Sequence, residues 1–192
     1  MPGRQAKFIT PAVERRMLGW AARQQDPTRA RVIVLLSLKA GLRAAEIAKL
    51  DWAMVMDGRR RVSRVLELPD YAAKKGSGRR VPLHPDLRTA LTTLHRQAEA
   101  RGGPVVTSAR GGHMRPNSIV NLFVGLFRDL GVIGCSSHSG RRTFITRAAR
   151  SAHKAGGSIR DVQILAGHRS IETTQAYIEG DSDAQRRLIR LI

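Results

Sequence analysis

Cysteine is almost absent from this chain, with Cys135 the single example among 192 residues. One cysteine excludes an intramolecular disulfide and a cysteine-based zinc finger, and it is typical of the reducing cytoplasm. Long hydrophobic runs are also missing: uninterrupted runs such as VIVLL at 32–36 are far too short to span a bilayer. The N-terminal segment MPGRQAKFITPAVERR lacks the apolar core of a signal peptide. We therefore expect a soluble cytoplasmic protein with no membrane partner.

Acidic residues are scarce relative to basic ones. Fifteen Asp and Glu stand against 34 Lys and Arg, which gives a formal net charge of +19. Such an excess predicts a polyanionic partner, nucleic acid before a membrane surface. Charge alone leaves open a ribosomal or chromatin-like protein that only neutralises phosphate. Because 42% of the residues are hydrophobic, the chain can bury a core of its own, and its length suits one domain with short appendages.

Several sequence signatures of enzyme chemistry are missing. The chain contains no phosphate-binding GxxxxGK(S/T) loop, no HExxH pair and no paired cysteines. Nucleotide hydrolysis and zinc catalysis therefore have no support in the sequence. We expect a protein without a cofactor or a metal ion.

Helix signals dominate the first fifty residues. Thr10 and Pro11 form an N-cap and first-turn pair, and apolar residues then recur at helical spacing. Asp26 and Pro27 begin a second helix, which Gly41 can end. The segment RAAEIAKL predicts a third, short helix.

Residues 52–83 change character. The segments WAMVM, RVSRVLEL and RRVPL read as short strands joined by turns, one of them at Asp57-Gly58. Helical periodicity then returns, and predicts helices over 87–98, 119–130, 139–151, 159–166 and 171–178. The predicted fold is mainly α with a small antiparallel β-sheet, an α+β protein.

Cations, imidazoles and one tyrosine recur in four short segments. Arg43 starts a helix with Glu46 on the same face, and KKGSGRR places two lysines at a glycine-rich turn. HSGRRTF and AGHRSIETTQAY supply two histidines and Tyr177. Each segment alone has an ordinary reading: a solvated helix pair, a basic hairpin tip, a helix-start histidine, a helix-capping histidine and a half-buried aromatic residue.

Taken together, these groups can perform chemistry on a phosphodiester. Two guanidinium groups match the nonbridging oxygens of a phosphate and stay charged. A phenol that has lost its proton to a neighbouring group can attack the phosphorus in line, and a lysine can protonate the leaving oxygen. No metal is needed, because the side chains supply the positive charge.

These segments resemble the catalytic domain of tyrosine recombinases, the phage integrase family. GLRAAEIAKL is similar to the family's first arginine box, KKGSGRRVPL to its β-hairpin lysine segment, HSGRRTF to its His-x-x-Arg box and LAGHRSIETTQAYIEGD to its final box. The resemblance covers roughly Phe8 to Asp181. It implies the following catalytic residues: Arg43, Lys74, His138, Arg141, His168 and the nucleophile Tyr177, with Glu46 in support. The distance from Pro82 favours Lys74 as the general acid and leaves Lys75 open.

The resemblance implies site-specific cleavage and rejoining of double-stranded DNA through a 3′-phosphotyrosine, without metal or ATP. A type IB topoisomerase and a noncatalytic DNA-binding regulator of the same fold are the alternatives. Further basic residues are expected to contact DNA: Lys75, Arg79, Arg80, Arg115 and Arg142. Other protomers are expected on the DNA in a tetrameric synapse, which would make the protein nucleoid-associated.

The resemblance also implies a domain organisation. Residues 1–181 are expected to form the catalytic domain, and 182–192 a tail helix that exchanges between protomers. We expect no counterpart of the family's N-terminal core-binding domain within residues 1–192. The chain then resembles the short fimbrial-inversion recombinases that lack that domain, or it is a fragment.

Overall fold

The computed structural model describes residues 6–74, 76–99, 102–177 and 189–190. The described part contains eight α-helices and a two-stranded sheet, in the order α1 Pro11–Ala21, α2 Pro27–Lys39, α3 Ala44–Ala48, β1 Val65–Leu68, β2 Arg79–Pro82, α4 Pro85–Gln97, α5 Pro116–Asp129, α6 Ser139–Ala152, α7 Ile159–Ala166 and α8 Ile171–Gln175. Short 3₁₀ helices lie at Trp52–Met54 and His153–Ala155. The predicted fold class, mainly helical with one small antiparallel sheet, is confirmed.

The chain divides into two compact units, Met1–Phe144 and Ile145–Ile192, which we call unit 1 and unit 2. The boundary falls within α6. The domain boundary expected at residue 181 lies outside the described residues, as does most of the expected tail helix over 182–192.

Unit 1 is built around α2. Eight of its 13 residues are buried, among them the continuous run from Val32 to Leu38. This helix packs against α1 and α4, while α3 packs against α5. The predicted N-caps start two of these helices: the Thr10 hydroxyl accepts from the N–H of Val13 at 3.3 Å, and the Asp26 carboxylate from the N–H of Arg29 at 3.0 Å. Each cap is followed by proline, whose missing N–H costs nothing in the first turn.

The small sheet confirms two of the three predicted strand segments. β1 and β2 are antiparallel, with Val65 opposite Pro82 and Leu68 opposite Arg79. The strand predicted for WAMVM is wrong, because Trp52–Met54 forms a 3₁₀ helix in which Val55 N–H donates to the Trp52 carbonyl at 3.0 Å. Trp52 and Met54 are both buried, so their alternation with an exposed alanine fits a tight helical turn as well as a strand.

Unit 2 contains α7 and α8, which pack against each other. Ser158 caps α7, and its own N–H donates to the Asp161 carboxylate at 2.7 Å. Gly167 ends the helix in the left-handed conformation at φ 63°. α8 is shorter than the predicted helix over 171–178 and ends at Gln175. Among the described residues, no helix is long and apolar enough to cross a membrane.

Candidate active site

Arg43 lies at the start of α3 and is fixed there by Glu46. One carboxylate oxygen accepts from the backbone N–H of Arg43 at 3.0 Å, and the other accepts from its Nη1 at 2.7 Å. The Arg43 side chain keeps 20% of its surface exposed, whereas Glu46 keeps 1%. The predicted pairing of these two residues is therefore present. The buried Glu46 carboxylate holds the Arg43 guanidinium at the surface.

Glu46 has a second cationic partner, Arg79 at the start of β2. Nη2 of Arg79 donates to one carboxylate oxygen at 2.9 Å and Nη1 to the other at 3.3 Å. Burial raises the pKa of Glu46, but the hydrogen bonds and charge of Arg79, followed by those of Arg43, lower it to about 2. The carboxylate is therefore ionised at neutral pH.

Arg141 is buried at 3% exposure in the first turn of α6. Its Nη1 donates to the carbonyl of Gly41 at 2.7 Å, two residues before Arg43. Gly41 has φ 63°, and a Cβ there would overlap the ring of Phe144, so only glycine fits this turn. The two arginines of the predicted site are thereby linked through one turn of unit 1.

His138 precedes α6 and joins this cationic cluster. Its backbone carbonyl accepts from the N–H of Arg142 at 2.9 Å, which places the imidazole at the helix start. Partial burial lowers the pKa of His138, and the positive charges of Arg43, Lys74 and Arg141 lower it further. The imidazole is therefore neutral at pH 7 and can accept a proton.

Lys74 is exposed on the loop between the two strands. Its carbonyl accepts from the hydroxyl of Ser77 at 2.8 Å. The N–H of Gly78 donates to the Asp70 carboxylate at 2.8 Å, and a Cβ at Gly78 would lie 2.8 Å from the carbonyl oxygen of Leu68, so the loop closes on itself. Lys75, the other candidate for the general acid, lies outside the described residues.

Unit 2 contains the remaining two predicted residues, His168 and Tyr177. Their rings stack with centroids 5.6 Å apart and planes inclined by 23°. Nδ1 of His168 lies 3.0 Å from the hydroxyl of Thr174, which is fully buried. The backbone carbonyl of Tyr177 accepts from the Thr146 hydroxyl at 3.4 Å. The tyrosine is thus held by its histidine neighbour and by α6.

Gln163 is a further buried residue of unit 2, and the sequence did not predict its contact with His168. Its side-chain amide donates to the backbone carbonyl of His168 at 3.0 Å, and its backbone carbonyl accepts from the N–H of His168 at 3.1 Å. It is 4% exposed. Its position one turn before the Gly167 cap was the available signal, since a buried amide there can bond the chain leaving the helix.

The structure separates the residues expected to contact DNA. Arg115 is exposed at the start of α5, and Arg142 is half-buried. Arg80 is 73% exposed and pairs with Glu67 at 3.1 Å. Arg79 differs from the expectation, because its side chain is 2% exposed and is occupied by Glu46. Strand alternation was the missed signal: β2 turns Arg79 to the buried face and its neighbour outward.

The predicted residues therefore fall into two sets. Unit 1 brings together Arg43, Glu46, Lys74, His138 and Arg141, and unit 2 brings together His168 and Tyr177. The role of each remains a prediction. Among the described residues, no group of three or more His, Cys, Asp or Glu side chains could hold a metal ion.

Curated relatives of this chain are tyrosine recombinases. It is 30% identical to the tyrosine recombinase XerC of Corynebacterium efficiens, over 90% of this chain and 57% of that protein. It is 31% identical to XerC of Mycobacterium sp. (strain KMS), over 81% of this chain and 51% of that protein. The chain thus spans about half the length of these relatives.

Solved structures of similar fold include the XerA recombinase, with a TM-score of 0.74 and 22% identity over all of this chain and 65% of that one. A lambda integrase dimer bound to a COC′ core site matches with a TM-score of 0.69 and 18% identity, over 92% of this chain and 49% of that one. Residues 7–183 match the sequence profile described as the phage integrase family. The four sequence segments and the fold agree with that match. The chain belongs to the phage integrase family.

Proposed function

We propose that this chain carries out the strand cleavage and rejoining of a site-specific DNA recombinase. The observation that carries the proposal is the pair Arg43 and Arg141, each fixed by a hydrogen bond of 2.7 Å, the first to the Glu46 carboxylate and the second to the Gly41 carbonyl. Two guanidinium groups held in this way can bind the nonbridging oxygens of one phosphate. Family membership and the names of the relatives, which are recombinases, favour strand exchange over a topoisomerase or a noncatalytic regulator.

Tyr177 is the proposed nucleophile. Its phenol oxygen attacks the scissile phosphorus, a 3′-phosphotyrosine bond forms, and the bond to the 5′ oxygen of the next nucleotide breaks. Lys74 gives a proton to that leaving oxygen, and His138, neutral at pH 7, exchanges a proton with the tyrosine. Arg43, Arg141 and His168 stabilise the charge that develops on the phosphoryl oxygens.

The reverse reaction joins the strands. A 5′-hydroxyl from a partner strand attacks the phosphorus of the phosphotyrosine and gives its proton back to Lys74. The bond from phosphorus to the Tyr177 oxygen breaks, and His138 returns a proton to the phenol. The number of phosphodiester bonds is unchanged, so ATP is not consumed. The arginines and the lysine supply the positive charge, so the proposed reaction does not require a divalent metal.

Double-stranded DNA is the proposed partner, consistent with the net charge of +19. One of the similar structures is an integrase dimer on its core site, which supports assembly of several protomers on DNA. We propose a tetrameric synapse on two sites, in the cytoplasm and at the nucleoid. The tail over 182–192 is proposed to dock on a neighbouring protomer.

Replacement of Tyr177 tests the proposed reaction. The substrate is a duplex from DNA flanking the gene, nicked near the cleavage site so that the short 5′-hydroxyl fragment diffuses away and the adduct accumulates. The parent forms an SDS-stable protein–DNA adduct, whereas Tyr177→Phe binds the duplex equally and forms none. Tyr71→Phe is the matched control, because Tyr71 is the other tyrosine of the chain and is 71% exposed. An adduct that persists in Tyr177→Phe and disappears in Tyr71→Phe would refute the assignment.

A further inference from the structure

Arg79 forms the least exposed part of a three-residue ionic chain in unit 1. Its side chain is 2% exposed and that of Glu46 is 1%, while that of Arg43 is 20% exposed. These three paired side chains therefore lead from an enclosed guanidinium, through a carboxylate, to a guanidinium that reaches the surface. At the enclosed end both Nη groups of Arg79 are bonded to Glu46, whereas the Arg43 guanidinium at the other end reaches the surface.

The contact between Arg79 and Glu46 fixes an orientation as well as a charge. Two roughly parallel hydrogen bonds, of 2.9 and 3.3 Å, join the guanidinium to both carboxylate oxygens. A bidentate contact of this kind sets the plane and the rotation of the carboxylate. The same two oxygens accept the backbone N–H and the Nη1 of Arg43, so their rotation decides where the Arg43 guanidinium points.

Stability alone gives no reason to keep this arrangement. Buried ion pairs stabilise folded proteins little compared with apolar residues of similar volume. Arg79 adds a further cost, because its Nε is buried without a hydrogen-bond partner among the described residues. Apolar residues in place of both partners would fill similar space without that cost.

The position of Arg79 in the sheet adds a second consequence. It is the first residue of β2 and pairs with Leu68 of β1, so it closes the loop that carries Lys74. Its ion pair with Glu46 therefore joins that loop to the start of α3. The groups proposed to protonate the leaving oxygen and to bind the phosphate lie on two elements joined by this contact.

We propose that Arg79 is a positioning residue, which orients Arg43 through Glu46 and sets the distance between the Arg43 turn and the Lys74 loop. This inference rests on the proposed recombinase chemistry. Arg79→Met removes both hydrogen bonds and retains the aliphatic stem. Arg128→Met is the matched control, since Arg128 also pairs with a carboxylate, that of Asp129, but its side chain is 78% exposed.

The first readout requires no activity. In ¹⁵N-labelled parent protein, the Nη–H signals of Arg43, identified by their loss in Arg43→Lys, are expected to be resolved and slow to exchange. In Arg79→Met they broaden or disappear, and in Arg128→Met they stay. Unchanged Arg43 signals in folded Arg79→Met would overturn the proposal. Should Arg79→Met fail to fold, Arg79→Lys answers the same question, because lysine keeps the charge and loses the two-point contact.

The second readout is the rate of adduct formation in a single turnover. Arg79→Met is expected to slow it on the order of 10²-fold, the effect typical of a misplaced reacting group. In an Arg43→Ala background the same change is expected to have little further effect, since its target is gone. Equal slowing in both backgrounds refutes positioning through Arg43. A parent that forms no adduct refutes the proposed reaction instead, and the Arg43 signals still decide the role of Arg79.

Discussion

The low pKa of Glu46 predicts how the free energy of unfolding depends on pH. Folding lowers its pKa from 4.5 to about 2, chiefly because the hydrogen bonds and charge of Arg79 outweigh the effect of burial. At about 1.4 kcal/mol per pKa unit, the difference corresponds to about 3 kcal/mol of unfolding free energy. Glu46 is 1% exposed, so solvent screening reduces this figure little.

Because folding lowers the pKa of Glu46, the protein is expected to lose stability as the pH falls. As the pH falls below 4.5, the unfolded chain takes up the proton before the folded one does, because the folded pKa is about 2. The stabilisation is therefore fully present above pH 4.5 and disappears as the pH approaches 2. Glu46→Gln lacks this titration and leaves Arg79 without its anionic partner, so it is expected to be less stable than the parent by about 3 kcal/mol at neutral pH.

Urea unfolding of the parent and of Glu46→Gln at a series of pH values measures the effect. The free-energy gap between them is expected to stay constant above pH 4.5 and to shrink steadily towards pH 2. Glu67→Gln is the control, because Glu67 is 64% exposed in its pair with Arg80 and is expected to change little. A gap that is the same at every pH would show that the ion pair does not hold the carboxylate ionised, and would refute the reasoning.

Three other predictions concern single positions. Gly41→Ala is expected to lower the unfolding free energy by about 2–5 kcal/mol, because of the left-handed backbone and the overlap with Phe144. Gly125→Ala, whose new Cβ has no atom within 4 Å beyond its own stretch of α5, is expected to raise the unfolding free energy by about 0.5–1 kcal/mol. Equal effects of the two changes in urea unfolding would refute the packing argument. Lys74→Ala is expected to slow cleavage far less on a duplex with a 5′-thiol leaving group than on the ordinary duplex with a 5′-oxygen leaving group, because the thiol needs no general acid. Equal slowing of both substrates would make Lys74 a phosphate contact and leave Lys75 as the candidate for the general acid. In DNA titrations, Arg115→Ala is expected to reduce the slope of log K against log salt by about 0.9, as for one lost phosphate contact, while the uncharged Arg79→Met leaves the slope unchanged. A slope reduced by Arg79→Met and unchanged by Arg115→Ala would make Arg79 the DNA contact.

Local features of the sequence predicted the corresponding parts of the structure. The caps at Thr10 and Asp26 and the contact between Arg43 and Glu46 each involve residues three positions apart. Such contacts depend on the nearby sequence and on helix geometry, both of which are visible in the sequence. The resemblance to a known family then supplied roles that no local pattern contains.

Contacts between distant segments were not predicted. Arg141 bonds the carbonyl of Gly41, 100 residues earlier, and Arg79 bonds Glu46 across 33 residues. A basic residue in a hairpin reads as a surface cation until the strand register shows which face it occupies. The strand predicted for WAMVM was wrong for a related reason, since a short alternation of buried and exposed residues fits a 3₁₀ turn and a strand equally well.

The central claim, that Tyr177 forms the covalent bond to DNA, is tested most directly by locating the adduct. The two tyrosines of the chain fall in different tryptic peptides, residues 65–74 and residues 170–186. After reaction with the nicked duplex, trypsin and nuclease digestion leave a nucleotide on the modified peptide, and mass spectrometry identifies the residue that carries it. The added nucleotide is expected on Tyr177 in the 170–186 peptide. A nucleotide on Tyr71, or on any residue other than tyrosine, would contradict it.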